Sequence, residues 1–458
     1  MRLTIGLFLL VSTFCRAQSY NEPFRPRFHF SPHEKWMNDP NGLVYFNGIY
    51  HLFFQHYPND IVWGPMHWGH ATSKDLIHWQ QQPIALYPDS LGYIFSGSAV
   101  VDSANTSGFG RAGKIPLVAI FTHHDPKGEK NGSNTFQNQS LAYSLDGGAT
   151  WTKYAGNPVL KNPGITDFRD PSVAWHAKEK KWVMSLATKD RISFYSSPDL
   201  KHWNKESEFG QHLGAHGGVW ECPDLFTLKE KDRTWWVLLV SNNPGGPNGG
   251  SGTQYFVGDW DGHRFMPADT STRWIDYGPD DYAGITFNNT GGRRIFLGWM
   301  SNWEYANQVP TATWRNAMTI PRDLSLRRLN NKLYLASRPA KETSGLYNLH
   351  LSNIPAGQSF SLHFSNAAGD ELVIGYDKPA NQYYIDRSKA GHTDFHPGFG
   401  GRYTAPRLSA AKNSTLTIIM DASSAELFAD DGLTVMTAVF FTDHPLDILR
   451  GEGIRVNE

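Results

Sequence analysis

The chain has 458 residues, enough for two or three domains or for one large β architecture with an added module. Its formal net charge is −1, with 42 Lys and Arg against 43 Asp and Glu, and neither sign forms a long run. This balance argues against a nucleic-acid partner, because binding of phosphates requires a basic patch. The 16 Trp residues are typical either of a β-rich core or of a surface that binds ligands through aromatic rings.

The chain begins with the pattern of a signal peptide, which we predict to comprise residues 1–17. Arg2 supplies the positive charge, and residues 3–14 are apolar but too few to span a bilayer. We therefore expect an exported protein, periplasmic or extracellular, with lipidation at Cys15 as the alternative that would tether it to a surface. After cleavage only Cys222 remains, so no disulfide framework and no membrane span are predicted.

The next residues alternate between strand-forming runs and turn signals. The stretch 42–58 contains two aromatic runs joined by Asn47-Gly48, a strong signal for a β-hairpin. A loose repeat then follows, in which a β run leads to Ser or Gly, an Asp, a turn and an aromatic residue. Its copies end at the following aromatic residues: Trp79, Trp151, Trp203 and, less clearly, Phe265.

The spacing of this repeat, roughly fifty to seventy residues, suits the four-stranded blades of a β-propeller with aromatic residues packed between blades. We predict that residues 28–340 form a propeller of five blades; four unrelated hairpins are the alternative. From 345 to 458 the pattern changes to alternating apolar and polar runs, which favour an antiparallel β-sandwich. The predicted fold class is therefore all-β, a five-bladed β-propeller followed by a C-terminal β-sandwich.

Three acidic residues in the predicted propeller lie in distinctive surroundings. Asp39 lies in WMNDPNG, Asp170 in DFRDPSV and Glu221 in GGVWECPDLF. Two of them precede Pro, which stiffens the backbone and holds the carboxylate in place. The stretch around Asp39 reads as a turn, whereas the apolar neighbours of Glu221 would favour the protonated form that a general acid needs.

One ionised and one protonated carboxyl group on either side of a scissile bond suit the hydrolysis of glycosides. A retaining enzyme needs these two groups about 5–5.5 Å apart. Separation along the chain is no obstacle, because the inner strands of different propeller blades converge on one axis.

These motifs resemble glycoside hydrolase family 32, which includes invertases, inulinases, levanases and other β-fructosidases. WMNDPNG is similar to the nucleophile motif of that family, FRDP to its arginine-aspartate-proline motif and WECPDLF to its acid/base motif. The resemblance implies a propeller followed by a sandwich, without a cofactor or a metal. It also implies Asp39 as the nucleophile, Asp170 as the stabiliser of the transition state and Glu221 as the acid/base, in an enzyme that releases fructose.

The resemblance implies several substrate-binding residues besides the three carboxyl groups: Asn38, Gln55, Trp63, Phe95, Ser96, Arg169, Trp299 and Trp303, the last two as pocket walls. The stretch GWMSNWEY is more similar to levanases and exo-inulinases than to invertases, which favours a fructan, levan or inulin, over sucrose as the partner. We expect cleavage from the chain end, since a propeller axis forms a closed-ended funnel.

Four other functions remain open from the sequence. Transfer of fructose to a sugar acceptor would use the same covalent intermediate, and cleavage within the polymer would need only an open cleft. An inverting propeller glycosidase acting on pentose polymers would hold its carboxyl groups about 6.5–9.5 Å apart. A carbohydrate-binding propeller without catalysis is the fourth possibility, against which the presence of all three acidic motifs counts.

Two further patterns have simpler interpretations. His67, His70 and the stretch 123–125 show none of the spacings typical of metal ligands, and we expect them in polar loops. The glycine-rich stretch 244–252 lacks the pattern of a phosphate-binding loop, and we expect a loop near the pocket rim.

Overall fold

Strands make up nearly all of the regular structure in the computed structural model, which describes residues 22–346 and 349–455. Within these residues the strands form seven sheets, five of them between residues 35 and 339 and two between residues 349 and 452. The predicted all-β fold is therefore confirmed. The predicted signal peptide and Cys15 lie outside the described residues.

Each of the five N-terminal sheets is a blade built on four antiparallel strands. The first two blades contain β1 (Lys35–Phe46), β2 (Ile49–Tyr57), β3 (His67–Ser73) and β4 (Gln80–Leu86), then β5 (Tyr93–Val101), β6 (Leu117–His124), β7 (Gln137–Ser144) and β8 (Thr152–Lys153). A short helix, α1 (Pro126–Lys130), follows β6. The third blade contains β9 (Phe168–His176), β10 (Lys181–Thr188), β11 (Ile192–Ser197) and β12 (Asn204–Phe209).

The last two blades carry short additional strands at their sides. The fourth contains β13 (Val219–Glu230), β14 (Arg233–Asn243), β15 (Gly252–Trp260), β16 (Phe265–Pro267) and β17 (Arg273–Trp274). The fifth contains β18 (Tyr282–Thr286), β19 (Ile295–Met300), β21 (Ala317–Met318), β22 (Arg322–Leu329) and β23 (Lys332–Pro339), while β20 (Trp314–Arg315) pairs in parallel with β1 of the first blade. A 3₁₀-helix, Lys341–Leu346, follows the last blade.

The blades close into a ring through their first strands. β1 contacts β5, β5 contacts β9, β9 contacts β13, β13 contacts β18, and β18 contacts β1. One strand of every blade therefore faces a common axis. This arrangement confirms the predicted five-bladed propeller and brings together residues that are far apart along the chain.

The repeat found in the sequence forms the turn after the third strand of a blade. In the first blade, Asp75 accepts hydrogen bonds from the backbone amides of Ile77 and His78, and the Trp79 indole donates to the Leu76 carbonyl. The same pairing of a turn-capping Asp with a Trp recurs at Asp146 with Trp151 and Asp199 with Trp203. Each of these Trp rings packs on an apolar cluster shared by two neighbouring blades, as predicted.

Two sheets beyond the propeller pack face to face as a sandwich. One contains β24 (Leu349–Pro355), β29 (Asn413–Met420), β30 (Ser424–Ala429) and β31 (Thr434–Val439); the other contains β25 (Phe360–Ser365), β26 (Glu371–Asp377), β27 (Gln382–Lys389), β28 (Arg402–Pro406) and β32 (Ile448–Glu452). Alternate residues of β25 are buried, as the alternating sequence predicted. The predicted domain limits, 28–340 and 345–458, stay predictions.

Buried ion pairs join the sandwich to the fifth blade. Arg322 of β22 is fully buried and donates hydrogen bonds to Asp281, just before β18, and to Glu426 of β30. Arg387 of β27 is equally buried and binds Asp280. The sandwich therefore fixes the segment that leads into β18, one of the five strands around the axis.

Candidate active site

A cavity of about 270 Å³ opens on the propeller axis and is lined by residues from four of the five innermost strands and from neighbouring segments. Its walls comprise Asn38, Asp39, Gln55, Trp63, Phe95, Ser96, His124, Glu129, Gln137, Asp167, Arg169, Asp170, Glu221 and Trp303. All three carboxyl groups singled out in the sequence lie in this one cavity. The fifth innermost strand, β18, contributes Tyr282, which contacts Glu221 from behind.

Every innermost strand has an irregular register at its functional residue. In β1 the pairing with the neighbouring strand shifts between Met37 and Pro40. The other four innermost strands shift in the same way: β5 between Ile94 and Gly97, β9 between Arg169 and Ser172, β13 between Glu221 and Asp224, and β18 between Tyr282 and Ile285. A β-bulge bends a strand and redirects its side chains, and bulges are frequent next to active sites. The predicted turn around Asp39 is thus a bulge within β1.

Asp39 is held by donors on both of its oxygens. Ser96 Oγ donates to Oδ2 at 2.6 Å, and Asn38 Nδ2 donates to Oδ1 at 2.9 Å. The Cys222 thiol lies 3.5 Å from Oδ2. Burial and the nearby Glu221 carboxylate raise the pKa of Asp39, while these hydrogen bonds oppose that rise by stabilising the ionised form. The carboxylate is therefore oriented by these donors, as a nucleophile requires.

Asp170 lies deeper and adopts a left-handed backbone conformation, with φ of 63°. Its Oδ2 accepts the backbone N–H of Cys222 at 3.1 Å, and its own N–H donates to Thr122 Oγ1 at 3.1 Å. Burial raises the pKa of Asp170 to about 7, against the opposing field of Arg169. A non-glycine residue with positive φ costs free energy, and such strain is concentrated at functional sites.

Glu221 lies in a polar setting, not the apolar one predicted from its neighbours. Arg169 donates to Oε1 from Nη2 at 2.9 Å and from Nε at 3.2 Å, and the Tyr282 hydroxyl donates to Oε2. Trp220, the preceding residue, points away into the core between the third and fourth blades. The side chains of consecutive strand residues alternate between faces, so an apolar sequence neighbour does not make an apolar site.

The structure brings most of the predicted substrate-binding residues to the cavity. Asn38, Gln55, Trp63, Phe95, Ser96, Arg169 and Trp303 all line it. Trp299 does not: it is fully buried and packs behind Trp303, with the two ring centroids 4.9 Å apart. The loop after β14 supports the same wall, because the Trp303 backbone N–H donates to Ser251 Oγ at 3.1 Å.

Sequence reasoning missed several residues of the pocket: His124, Glu129, Gln137, Asp167 and Tyr282. His124 was expected in a polar loop, but the structure places His67 and His70 in β3 and His124 at the end of β6. Asp167 begins the DFRDPSV stretch but was not itself singled out, and the other four residues come from strands or from α1 without a distinctive motif. Tyr282 illustrates the reason, because only the closure of the ring reveals its contact with Glu221.

Metal chemistry finds no support in the described part of the chain. No group of three or more His, Cys, Asp or Glu side chains there is arranged to hold a metal ion. Among the same residues, none of the helical segments has the length and apolar character that a bilayer span requires.

A five-bladed propeller with two oriented carboxylates, a third buried carboxyl group and a guanidinium on its axis belongs to the class of glycoside hydrolases. Comparison with known proteins agrees. Residues 29–339 match the model of the glycosyl hydrolases family 32 N-terminal domain, and residues 323–455 match that of the family 32 C-terminal domain. The chain belongs to glycosyl hydrolase family 32.

Its relatives within the family include enzymes named for fructans. A levanase of Bacillus subtilis (strain 168) is 47% identical over 463 residues, covering 93% of this chain and 67% of the relative. An extracellular exo-inulinase of Aspergillus niger is 41% identical over 488 residues, covering 93% and 91%. The crystal structure of an exo-inulinase from Aspergillus awamori superposes with a TM-score of 0.85 at 38% identity, covering 93% of this chain and 94% of that one.

Proposed function

We propose that this protein is an exported, exo-acting β-fructosidase that removes fructose from the ends of fructans with retention of configuration. The observation that carries this proposal is the meeting of Asp39, Asp170 and Glu221 around one guanidinium on a closed propeller axis. The names of the relatives, levanase and exo-inulinase, support a fructan as the substrate. The word extracellular in the name of the second supports export.

In the first step, a carboxylate oxygen of Asp39 attacks the anomeric carbon C2 of the terminal fructose. The bond from C2 to the leaving oxygen breaks, and Glu221 gives that oxygen its proton. The product is an ester between Asp39 and fructose, and the shortened chain leaves as an alcohol. Ser96 and Asn38 hold the attacking carboxylate in position through the bonds at 2.6 and 2.9 Å.

In the second step, Glu221 takes a proton from water as the water oxygen attacks C2. The ester bond breaks, Asp39 regains its charge, and fructose leaves. The two donors on Glu221, Arg169 and Tyr282, suit the ionised form that this step needs. Asp170 is placed to accept hydrogen bonds from fructose hydroxyls, which strengthen as positive charge develops on the ring.

The charges of the pocket are unevenly matched. Four carboxyl groups, those of Asp39, Asp167, Asp170 and Glu221, lie around the single guanidinium of Arg169. Burial raises the pKa of Asp170 to about 7, and the charges of Glu221 and Asp39 add to that rise against the opposing field of Arg169. The first step requires a proton on Glu221, where the leaving oxygen can take it.

The shape of the cavity supports cleavage at chain ends. The ring of innermost strands surrounds the cavity, whose volume of about 270 Å³ is at the small end of ligand pockets. A pocket closed at one side accepts the end of a polymer but not its middle.

The test is a product profile of the purified protein on levan, inulin and sucrose, with the Asp39→Asn variant as control. We expect fructose alone from the earliest time points, fastest with one of the two fructans. A ladder of oligosaccharides would contradict exo action, and products longer than the substrate would indicate transfer. No product from any of the three would overturn the proposed function and favour a binding protein or a pentose-acting enzyme.

A further inference from the structure

Helix α1 places a further carboxylate at the mouth of the pocket. Glu129 lines the same cavity as Asp39 and Glu221. Its side chain is 55% exposed, however, compared with 20% for Glu221, and Asp170 is almost completely buried. Glu129 therefore lies nearer to solvent than the groups that attack and protonate the terminal sugar.

A buried histidine holds Glu129 in place. His124 Nε2 lies 3.1 Å from Glu129 Oε2, and because a carboxylate only accepts, Nε2 carries the proton. His124 Nδ1 then accepts a hydrogen bond from Gln137 Nε2 at 3.3 Å, which fits the same tautomer. The imidazole ring stacks on Phe95 with centroids 4.2 Å apart and planes within 7°.

The loop that carries Glu129 is also fixed at both ends. The Asp125 backbone N–H donates to the Phe136 carbonyl at 2.7 Å, and its carboxylate caps α1 by accepting the Lys127 N–H at 3.0 Å. Asn134 Nδ2 binds the Gly164 carbonyl at 3.1 Å. Position and orientation of Glu129 are therefore set before any ligand arrives.

We propose that Glu129 is a specificity-determining contact for the leaving group, accepting hydrogen bonds from hydroxyls of the sugar unit next to the terminal fructose. This inference rests on the proposed function. The terminal fructose occupies the buried base of a cavity of only about 270 Å³, so the next unit lies at the mouth, beside Glu129. One carboxylate oxygen of Glu129 is engaged by His124, which leaves Oε1 to accept from the substrate.

The contact favours one chemical class of leaving group, a polyhydroxylated sugar, over an aryl alcohol. Both classes present the same fructosyl ring to Asp39 and Glu221, so only the mouth of the pocket distinguishes them. His124 acts as a positioning residue, because it fixes the carboxylate without itself being required to touch the sugar.

The experiment compares kcat/KM for a fructan trisaccharide and for p-nitrophenyl β-D-fructofuranoside. We expect Glu129→Gln to lower kcat/KM for the trisaccharide about 5- to 10-fold, mainly through KM, since one charged hydrogen bond at a half-exposed site is weakened. The value for the aryl fructoside should change by less than about 2-fold. His124→Phe, which keeps a ring on Phe95 but removes the Nε2 donor, should shift the ratio in the same direction.

The matched control is Lys130→Ala, an exposed residue of the same helix outside the pocket, which should leave both values unchanged. Equal losses on both substrates for Glu129→Gln would overturn the inference, because they would indicate a role at the fructosyl site or in folding. If the ratio of the two kcat/KM values were the same in Glu129→Gln as in an active wild-type protein, this inference would be overturned and the proposed function would stand. A wild-type protein inactive on both substrates would overturn the proposed function together with this inference.

Discussion

Two of the clusters of charge in the described residues differ in how their carboxyl groups are matched. The pocket cluster, Asp39, Asp167, Asp170, Glu221 and Arg169, surrounds an open cavity and has four carboxyl groups but a single guanidinium. The interface cluster, Asp276, Asp281, Glu426, Asp421, His29 and Arg322, lies between propeller and sandwich and has two cations, each in contact with at least two carboxyl groups.

Buried carboxyl groups in the two clusters do not share one direction of pKa shift. Burial raises the pKa of Asp170 to about 7 and also raises that of Asp281, whereas at Asp421 the hydrogen bond and charge of His29, together with backbone donors, outweigh burial and lower the pKa to about 2. Burial alone therefore does not distinguish a reactive carboxyl group from a structural one. In the pocket cluster, carboxyl groups outnumber cations and are available to a ligand. In the interface cluster, most carboxyl groups are paired with a cation and stabilise the contact between propeller and sandwich.

The largest expected effect is loss of catalysis on removal of the nucleophile. Asp39→Asn should lower kcat by about 10⁴-fold or more, because no covalent intermediate can form. The matched control is Asp102→Asn, a fully buried aspartate outside the pocket, which caps a turn by accepting from Thr106 and Ser107. That variant should lose stability, measured by urea unfolding, but keep its kcat. A residual kcat of Asp39→Asn within 10-fold of wild type would contradict the assignment.

Glu221→Gln should separate protonation from nucleophilic attack. We expect kcat/KM on fructan to fall about 10²- to 10⁴-fold, the usual contribution of a positioned acid/base. With β-fructofuranosyl fluoride the first step should be nearly unimpaired, because fluoride leaves without a proton, and a burst of fluoride release should mark it. Equal losses with both leaving groups would count against the acid role.

Breaking the interface cluster should affect stability and spare chemistry. Arg322→Met removes the cation that binds Asp281 and Glu426, leaving buried carboxylates unmatched, which costs about 3–5 kcal/mol in the free energy of unfolding. Arg450→Met, at an exposed ion pair, should cost less than about 1 kcal/mol. If kcat fell as strongly as stability in the folded Arg322 variant, the two clusters would be coupled and the comparison would fail.

The smallest effect concerns pH and stability. Hydrogen bonds to Asp421 and Glu426 outweigh burial and raise the pKa of His29 to about 9 in the folded protein, against about 6.5 when unfolded. Its stabilisation is therefore complete below pH 6.5 and is lost as pH rises to 9, by about 2–4 kcal/mol. Urea unfolding at several pH values should show this decline, and His29→Gln should flatten it between pH 7 and 9. An unchanged slope in that variant would assign the decline to another group.

Asp170 should give a dependence of the same sign at lower pH. Because its pKa is raised to about 7, the folded protein binds this proton more tightly than the unfolded chain, and stability falls as pH rises from about 4 to about 7. Between pH 7 and 9, Asp170 therefore adds little to the pH dependence of stability, and the decline measured there reports on His29 in the interface cluster.

The sequence predicted the fold and indicated three carboxyl groups that the structure brings together, but the local geometry around them differed. WMNDPNG, FRDP and WECPDLF indicated the three carboxyl groups that meet in the pocket, and the Asp and Trp repeat indicated the blades. The turn predicted at Asp39 is a bulge within β1, because the next residues, Pro40 and Asn41, pair with β2. This pairing depends on a partner strand, which the sequence around Asp39 does not reveal.

The side chains missed by sequence reasoning share one cause. His124 and Glu129 come from the end of β6 and from α1 in the second blade, and Tyr282 comes from β18 in the fifth, and no distinctive motif surrounds any of them. Trp299 shows the converse, since a family-like stretch suggested a pocket wall but the ring lies behind Trp303.

By itself the sequence determined the all-β character, the repeat of the blades and which carboxyl groups are stiffened by a following Pro, because these depend on local backbone preferences and on residue periodicity. Only the tertiary structure decided which groups meet. Closure of the five blades places Asp39, Asp170 and Glu221 in one cavity, gives Glu221 its partners Arg169 and Tyr282, and leaves one guanidinium among these carboxyl groups and Asp167. Charge interactions depend on distance and burial in space, and neither can be read along a chain.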